Sequence, residues 1–445
     1  MRRVPLVVAA AALIALAGVG VAIRRAERAP APSLAGLVRI AHGARRGRLL
    51  AGPVAGLGRA ALYEPAAARH GHGVRAVFID AARGAPVRFA RGVHLAETGD
   101  QLIWDGSTPP FVAVVADASS SQARHRVEAW TRAVLPIAGS EATWLQVPSR
   151  HAESLEARLV RALQSPRVRR SSAAARAVAP ARFTRLLDGP DGGTMWSGRI
   201  PGKAVPALRR QSIVYLPPNV RRDRRYPLVI LLHGLRGSPY SFAGGVRMPA
   251  VADPLIAAHR VRAFIAVMPP AGLTPAFDGE WTGAWERYVV DDVVPWAGAH
   301  LPVARDRAGR VIAGFSAGGY GAVDMALRHP RMFGVAESWS GYFDAPHDGS
   351  LRHATLAARR AHAPTVLARR ERRLLRRLGL RVLVSAGRGE PDVLRASRRF
   401  GAELVRLRLP SHVLVMRGRH DGRQWHALLG PALRYALPDD GLAGR

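Results

Sequence analysis

The C-terminal half of the chain predicts an α/β fold built on a mostly parallel central sheet. Beyond Gly193, short and continuously apolar runs alternate with stretches of helical length. Continuous rather than alternating apolarity means burial on both faces, the mark of parallel strands covered by helices. With 445 residues, 48% of them hydrophobic, the chain can fill more than one core at ~100–200 residues per domain. It has no cysteine, which excludes a disulfide scaffold, a Cys-ligated metal and a thiol nucleophile.

Taken in order, Val4–Ile23 is an unbroken run of apolar and small residues between Arg2-Arg3 and Arg24-Arg25. Its length suits a ~30 Å hydrocarbon core. We read residues 1–28 as a signal anchor with the bulk of the chain outside the membrane, or as a secretory signal if the segment is cleaved. Residues 34–163 read as a small α/β region of unassigned function, with strands over Val74–Asp80 and Phe111–Ala116 and helices over Arg124–Leu135 and Glu153–Leu163. His70 and His72 have no third ligand at a metal-binding spacing and read as a surface loop. Residues 164–192, rich in Ala, Ser, Pro and Arg, read as a linker. In residues 193–438 the expected strands are Ser212–Leu216, Leu228–Leu232, Ala263–Met268, Arg310–Phe315, Val335–Trp339, Leu380–Ser385 and His412–Met416.

The formal charge of +34 raises the question of nucleic acid. The excess is spread along the chain: 25 basic against 11 acidic residues up to position 180, and 41 against 21 after it. Lys203 is the sole lysine, so the bias is compositional, and no nucleic-acid motif accompanies it. No specific nucleic-acid partner is expected. Arg359–Arg381, with nine arginines and one glutamate, is a candidate contact for anionic lipid or polysaccharide, set against a solvated helix.

In a parallel sheet, chemistry sits at the carboxyl ends of the strands. Gly314-Phe315-Ser316-Ala317-Gly318 follows one such strand and precedes an apolar helix. This is the context in which G-x-S-x-G makes a sharp turn that exposes a nucleophilic serine, here Ser316. After Leu228–Leu232 comes His233-Gly234-Leu235-Arg236-Gly237. The backbone amides of Leu235 and Ala317 are the expected oxyanion donors, and His233 is expected to be structural. A serine hydroxyl needs a base. Of sixteen histidines, His420 follows the last strand directly, whereas His412 opens that strand, where burial is expected, and His426 falls in the closing helix. The acid comes from Ala386-Gly387-Arg388-Gly389-Glu390-Pro391-Asp392; Glu390 is preferred and Asp392 is the alternative.

Residues 193–438 resemble the esterase D-like α/β-hydrolases, a group related to feruloyl esterases and mycolyltransferases. The resemblance rests on Tyr226–Gly234, Gly314–Ala322, the Gly387-to-Pro391 turn, and Gly418-x-His420-Asp421 followed by Trp425. It implies an α/β-hydrolase fold and a Ser316, His420, Glu390 triad, although the family more often places Asp at the acid position. The Gly234-Leu235-Arg236 stretch is similar to the mycolyltransferase oxyanion loop. Asp278–Trp296 resembles the wall before the nucleophile strand, which makes Trp281 and Trp285 candidate substrate walls, with a core role as the competing reading.

The expected function is serine-dependent hydrolysis of a carboxylic ester at the cell envelope, with no metal or cofactor required. One alternative is acyl transfer to a sugar or lipid alcohol, which shares the acyl-enzyme. A second is an envelope binding protein with an idle hydrolase fold. Expected partners are an ester substrate and, through the N-terminal helix, a membrane.

Overall fold

The computed structural model of the chain describes residues 33–439, apart from 44–45, 70–73, 82–84, 105–107, 138–142, 147–154, 164–172, 207, 209, 236, 273–280 and 346–350. The expected anchor over Val4–Ile23, the His70/His72 pair and Asp278–Glu280 lie outside the described residues. Among the described residues no helix is long and apolar enough to cross a membrane.

Two sheets are present among the described residues. The smaller has the order β1-β2-β3-β5-β4-β6. Its strands are β1 (Val38–His42), β2 (Arg48–Val54), β3 (Gly58–Glu64), β4 (Arg75–Asp80), β5 (Phe111–Ala116) and β6 (Thr143–Gln146). β4 lies parallel to both β5 and β6, while β1, β2 and β3 form an antiparallel meander joined to β5. The two strands expected here are β4 and β5. The meander escapes the sequence pattern because Gly, Pro and Arg interrupt its apolar residues, and β6 because its four residues hold only two apolar ones between Thr143 and Gln146, so no continuous run marks them. The expected helix at Arg124–Leu135 runs over Ser121–Val134, starting one residue after Ser120, whose hydroxyl accepts the Ala123 N–H.

The larger sheet has the order β15-β14-β13-β12-β10-β11-β9-β8-β7. Its strands are β7 (Thr184–Asp188), β8 (Thr194–Gly198), β9 (Ser212–Leu216), β10 (Leu228–Leu232), β11 (Ile265–Met268), β12 (Arg310–Phe315), β13 (Val335–Trp339), β14 (Arg381–Gly387) and β15 (Ser411–Met416). From β11 across β10 to β15 every pairing is parallel; β7, β8 and β9 add an antiparallel flank. All seven expected strands form, with shifts of one or two residues at some ends.

The expected linker needs correcting. Residues 173–178 are helical, and β7 pairs with β8 well before residue 193. The large sheet therefore begins at Thr184. Helix α1 (Leu155–Leu163) touches both β4 and β7, so it ties the two sheets together. Its Leu159, Val160 and Leu163 are buried in one apolar cluster with Leu186 of β7 and Val77 of β4. The Glu156 carboxylate lies 3.8 Å from the Arg210 guanidinium across the same junction.

Helices α2 (Met248–Ala257) and α5 (Gly422–Ala436) pack together on one face of the large sheet. α5 buries Trp425, Leu428, Leu429, Ala432, Leu433 and Ala436, a stripe at helical spacing. α3 (Ala317–Arg328) is buried over nearly its whole length and covers β12 and β13. α4 (Pro391–Arg406) returns the chain from β14 to β15. Register pairs Leu232 with Gly314, Phe315 with Trp339, and Gly387 with Met416. The loops after β10, β12, β13, β14 and β15 therefore leave the sheet at one rim.

Candidate active site

Ser316 joins β12 to α3 with φ 56° and ψ −124°. Positive φ is strained for a residue with a Cβ, a cost of order 1–3 kcal/mol that surrounding structure must hold. Its N–H donates to the Trp339 carbonyl at 2.8 Å, which pins the turn to the next strand. The flanking glycines are required by close packing. A Cβ on Gly318 would stand 2.1 Å from the Leu232 carbonyl oxygen, and one on Gly314 would stand 2.5 Å from the same oxygen. Strand β10 thus passes so close to the elbow that only hydrogen fits at both positions.

The His420 Nε2 lies 2.9 Å from Ser316 Oγ, and its Nδ1 lies 2.5 Å from Glu390 Oε1. His420 sits directly before Asp421, the N-cap of α5, whose side chain accepts the Gln424 N–H at 3.1 Å. The Trp425 ring meets the imidazole edge-on at 5.3 Å and stacks on Phe315 at 4.1 Å, so His420 rests against a packed aromatic wall.

Glu390 is buried and its second oxygen is fully engaged. Oε2 accepts the Gly387 N–H at 2.7 Å, the Ser340 hydroxyl at 2.9 Å and the Gln424 amide. Burial acts to raise its pKa, but the bonds from His420, Gln424, Gly387 and Ser340 outweigh it and hold the carboxyl below the usual carboxylate range. Asp392, the alternative acid, is not brought to the site. It lies in the first turn of α4, its side chain is 86% exposed, and it pairs with Arg395. The reason is geometric: Pro391 starts the helix and turns the chain outward after Glu390.

Ser340 and Gln424 are the residues that the sequence does not announce. Ser340 follows β13 at the carboxyl rim, a position that alone marks it for inspection. Gln424 sits on the first turn of α5, and only its fold neighbours reveal it. Its amide also donates to the Ser340 hydroxyl at 2.7 Å.

The loop after β10 lies beside the nucleophile. A Cβ on Gly234 would stand 3.1 Å from Ser316 Cβ, and the Gly234 carbonyl accepts the Gly237 N–H at 2.8 Å, closing a tight turn around Leu235. Ala317 is the first residue of α3, where backbone N–H groups have no partner within the helix. His233 is fully buried. Its Nε2 accepts the Ala271 N–H at 3.0 Å, so the proton sits on Nδ1, which donates to the Gly234 carbonyl at 2.8 Å. Burial, with Arg210 nearby, lowers its pKa to about 3 and keeps the ring neutral. The structural role expected of His233 is therefore specific: it braces the turn that carries Leu235.

Trp281 and Trp285 need correcting as substrate walls. Trp281 has no exposed surface; its indole N–H donates to the His233 carbonyl at 2.8 Å, and its Cβ sits 2.5 Å from where a Cβ on Gly321 would be. Trp285 is buried edge-on against Tyr288. Both are packing residues of the core. His412, expected inside its strand, is exposed because β15 is the sheet edge. His426 is tied to the Val246 carbonyl at 2.8 Å, away from the nucleophile. Within the arginine-rich segment, Arg369 pairs with Glu403 at 2.7 Å and Arg370 with Glu371 at 2.9 Å. No group of three potential metal ligands occurs among the described residues.

Residues 206–436 match the family model described as "Putative esterase". A xylanase/feruloyl esterase of Xylanibacter ruminicola is 31% identical over 138 residues, 29% of this chain and 19% of that protein. An esterase of Mycobacterium tuberculosis is 30% identical over 138 residues, covering 29% and 28%. The iron(III) enterobactin esterase of Escherichia coli is 32% identical over 138 residues, covering 31% and 32%. The matches thus span from a fifth to a third of these relatives' own length. Among solved structures, a ferulic acid esterase aligns with 55% of this chain and 98% of its own at 23% identity, with a TM-score of 0.49. The family model covers more than half of the chain, and on that ground the chain belongs to this esterase family.

Proposed function

We propose that the chain is a serine-dependent carboxylic ester hydrolase that works through an acyl-enzyme on Ser316. The observation that carries this reading is the continuous hydrogen-bonded line from Ser316 Oγ through His420 to Glu390. Ser316 Oγ adds to the ester carbonyl carbon while His420 Nε2 takes its proton. Glu390 holds Nδ1–H and offsets the imidazolium charge. The oxyanion accepts the N–H groups of Leu235 and Ala317. On collapse, His420 returns the proton to the departing alkoxide, which leaves as the alcohol. Water, deprotonated by His420, then adds to the acyl carbon, and Ser316 leaves with the proton as the acid is released.

The same intermediate can be opened by a sugar or lipid alcohol instead of water; product analysis with trehalose or glycerol present separates the two outcomes. The idle-fold alternative has no observation in its favour. We also place the enzyme at the cell envelope, on the apolar run at Val4–Ile23; membrane fractionation of the full chain against one starting at Arg24 tests it. The test of the chemistry is p-nitrophenyl acetate hydrolysis and fluorophosphonate labelling, both lost in Ser316→Ala. An active Ser316→Ala protein overturns the assignment.

A further inference from the structure

The two loops that carry His420 and Glu390, with the first turn of α5, carry four exposed arginines: Arg388, Arg417 and Arg419 on the loops and Arg423 on the helix. They are held together at the rim. The Arg388 N–H donates to the Met416 carbonyl at 2.9 Å and the Gly389 N–H to the Gly418 carbonyl at 2.8 Å. The Arg419 stem packs on Gly389, where an added Cβ would stand 2.7 Å from Arg419 Cγ. Arg419 adjoins His420, so their Cα atoms are about 3.8 Å apart.

Among the described residues no carboxylate neutralises these charges. None of the four guanidinium groups has an ion pair or hydrogen bond among the described residues. The carboxylates on these loops and the adjoining first turn of α4 are otherwise committed: Glu390 is buried against His420, Asp392 pairs with Arg395, and Asp421 caps α5. Farther along α4, Arg399 and Arg406 each meet a carboxylate, Asp344 and Glu403, while Arg398 beside Arg399 stays exposed without one among the described residues. Unpaired cations beside a reacting centre raise the local concentration of anions, within a Debye length of about 8 Å at physiological salt. Guanidinium also matches carboxylate, phosphate and sulfate geometry.

We propose that this rim selects ester substrates bearing an anionic group near the scissile bond. The inference rests on the esterase reading and adds a substrate class to it. Two matched pairs test it on the full chain. 4-Acetoxybenzenesulfonate against 4-acetoxybenzenesulfonamide places the charge on the alcohol side. Phenyl 4-sulfobenzoate against phenyl 4-sulfamoylbenzoate places it on the acyl side. The charged member of at least one pair is expected to show kcat/KM at least about tenfold higher at low salt. That ratio is expected to fall towards one in about 0.5 M NaCl, and in R388Q/R417Q/R419Q/R423Q. The pair that responds identifies the side carrying the charge. Equal turnover within both pairs at low salt, or a preference that survives both salt and the variant, overturns the proposal. Should the variant misfold, the salt series on the unaltered protein decides alone. If no neutral ester is hydrolysed and fluorophosphonate fails to label Ser316, the esterase reading itself falls and takes this one with it.

Discussion

His420 Nε2 stands 2.9 Å from Ser316 Oγ although 104 residues separate them in the chain. The contact is made by the sheet: β12 and β15 end at the same rim, three strands apart. Two groups that act as one proton-transfer unit give non-additive losses. Ser316→Ala and His420→Ala are each expected to lower kcat by about 10⁴-fold or more, and the double variant by no more than either alone. A double variant whose loss is the product of the two would mean that they act independently; steady-state rates on p-nitrophenyl acetate measure this.

The two candidate acids separate cleanly. Glu390→Gln keeps the shape but loses the charge that fixes the imidazole, and kcat is expected to fall about 10³- to 10⁴-fold. Asp392→Asn removes an exposed ion pair and is expected to leave kcat within about twofold. A reversed ranking would move the acid to the α4 turn.

His233 predicts a split between kcat and KM. His233→Ala strips the Gly234 carbonyl of its imidazole donor and leaves the Ala271 N–H without an acceptor. Loosening one oxyanion donor is expected to lower kcat by about 10- to 100-fold, with KM changing much less. Unpaired buried groups are expected to lower stability by about 1–3 kcal/mol. Wild-type kcat in a folded His233→Ala protein would remove the bracing role.

Stability is expected to peak between about pH 4.5 and 6.5. Glu337 is buried, which pushes its pKa from 4.5 up to about 8 against the opposing pull of Trp339 and Arg381. Between those values the folded state holds a proton that the unfolded chain has lost, so stability falls as pH rises, by roughly 5 kcal/mol over the whole span. His233 works the other way: with its pKa lowered from 6.5 to about 3, the unfolded chain binds more protons in that window and acid destabilises the fold. Glu286, lowered to about 2 despite its burial by bonds from His329 and Arg328, adds to the acid side below 4.5. Above pH 6.5 only the Glu337 slope remains of these. Thermal midpoints are therefore expected to drop from pH 6.5 to 8 and to flatten in Glu337→Gln; an unchanged slope in that variant would refute the origin assigned here.

The sequence alone determined the parallel strands, the elbow at Ser316 and the order of serine, acid and histidine. Those features are local. A strand buried on both faces needs a continuous apolar run, and a turn that tight needs Gly314 and Gly318, so both are written in adjacent residues. The sequence preferred Glu390 and kept Asp392 open; tertiary structure brings Glu390 and not Asp392 to His420, because that depends on where Pro391 turns the chain. Tertiary structure alone revealed Ser340 and Gln424, which reach Glu390 from 50 and 34 residues away. It also moved Trp281 from the substrate wall to the core beside His233, since a tryptophan's burial is set by what packs on it and not by its neighbours in sequence. Spacing along a chain encodes backbone shape; which side chains meet is fixed only when separate strands are brought into register.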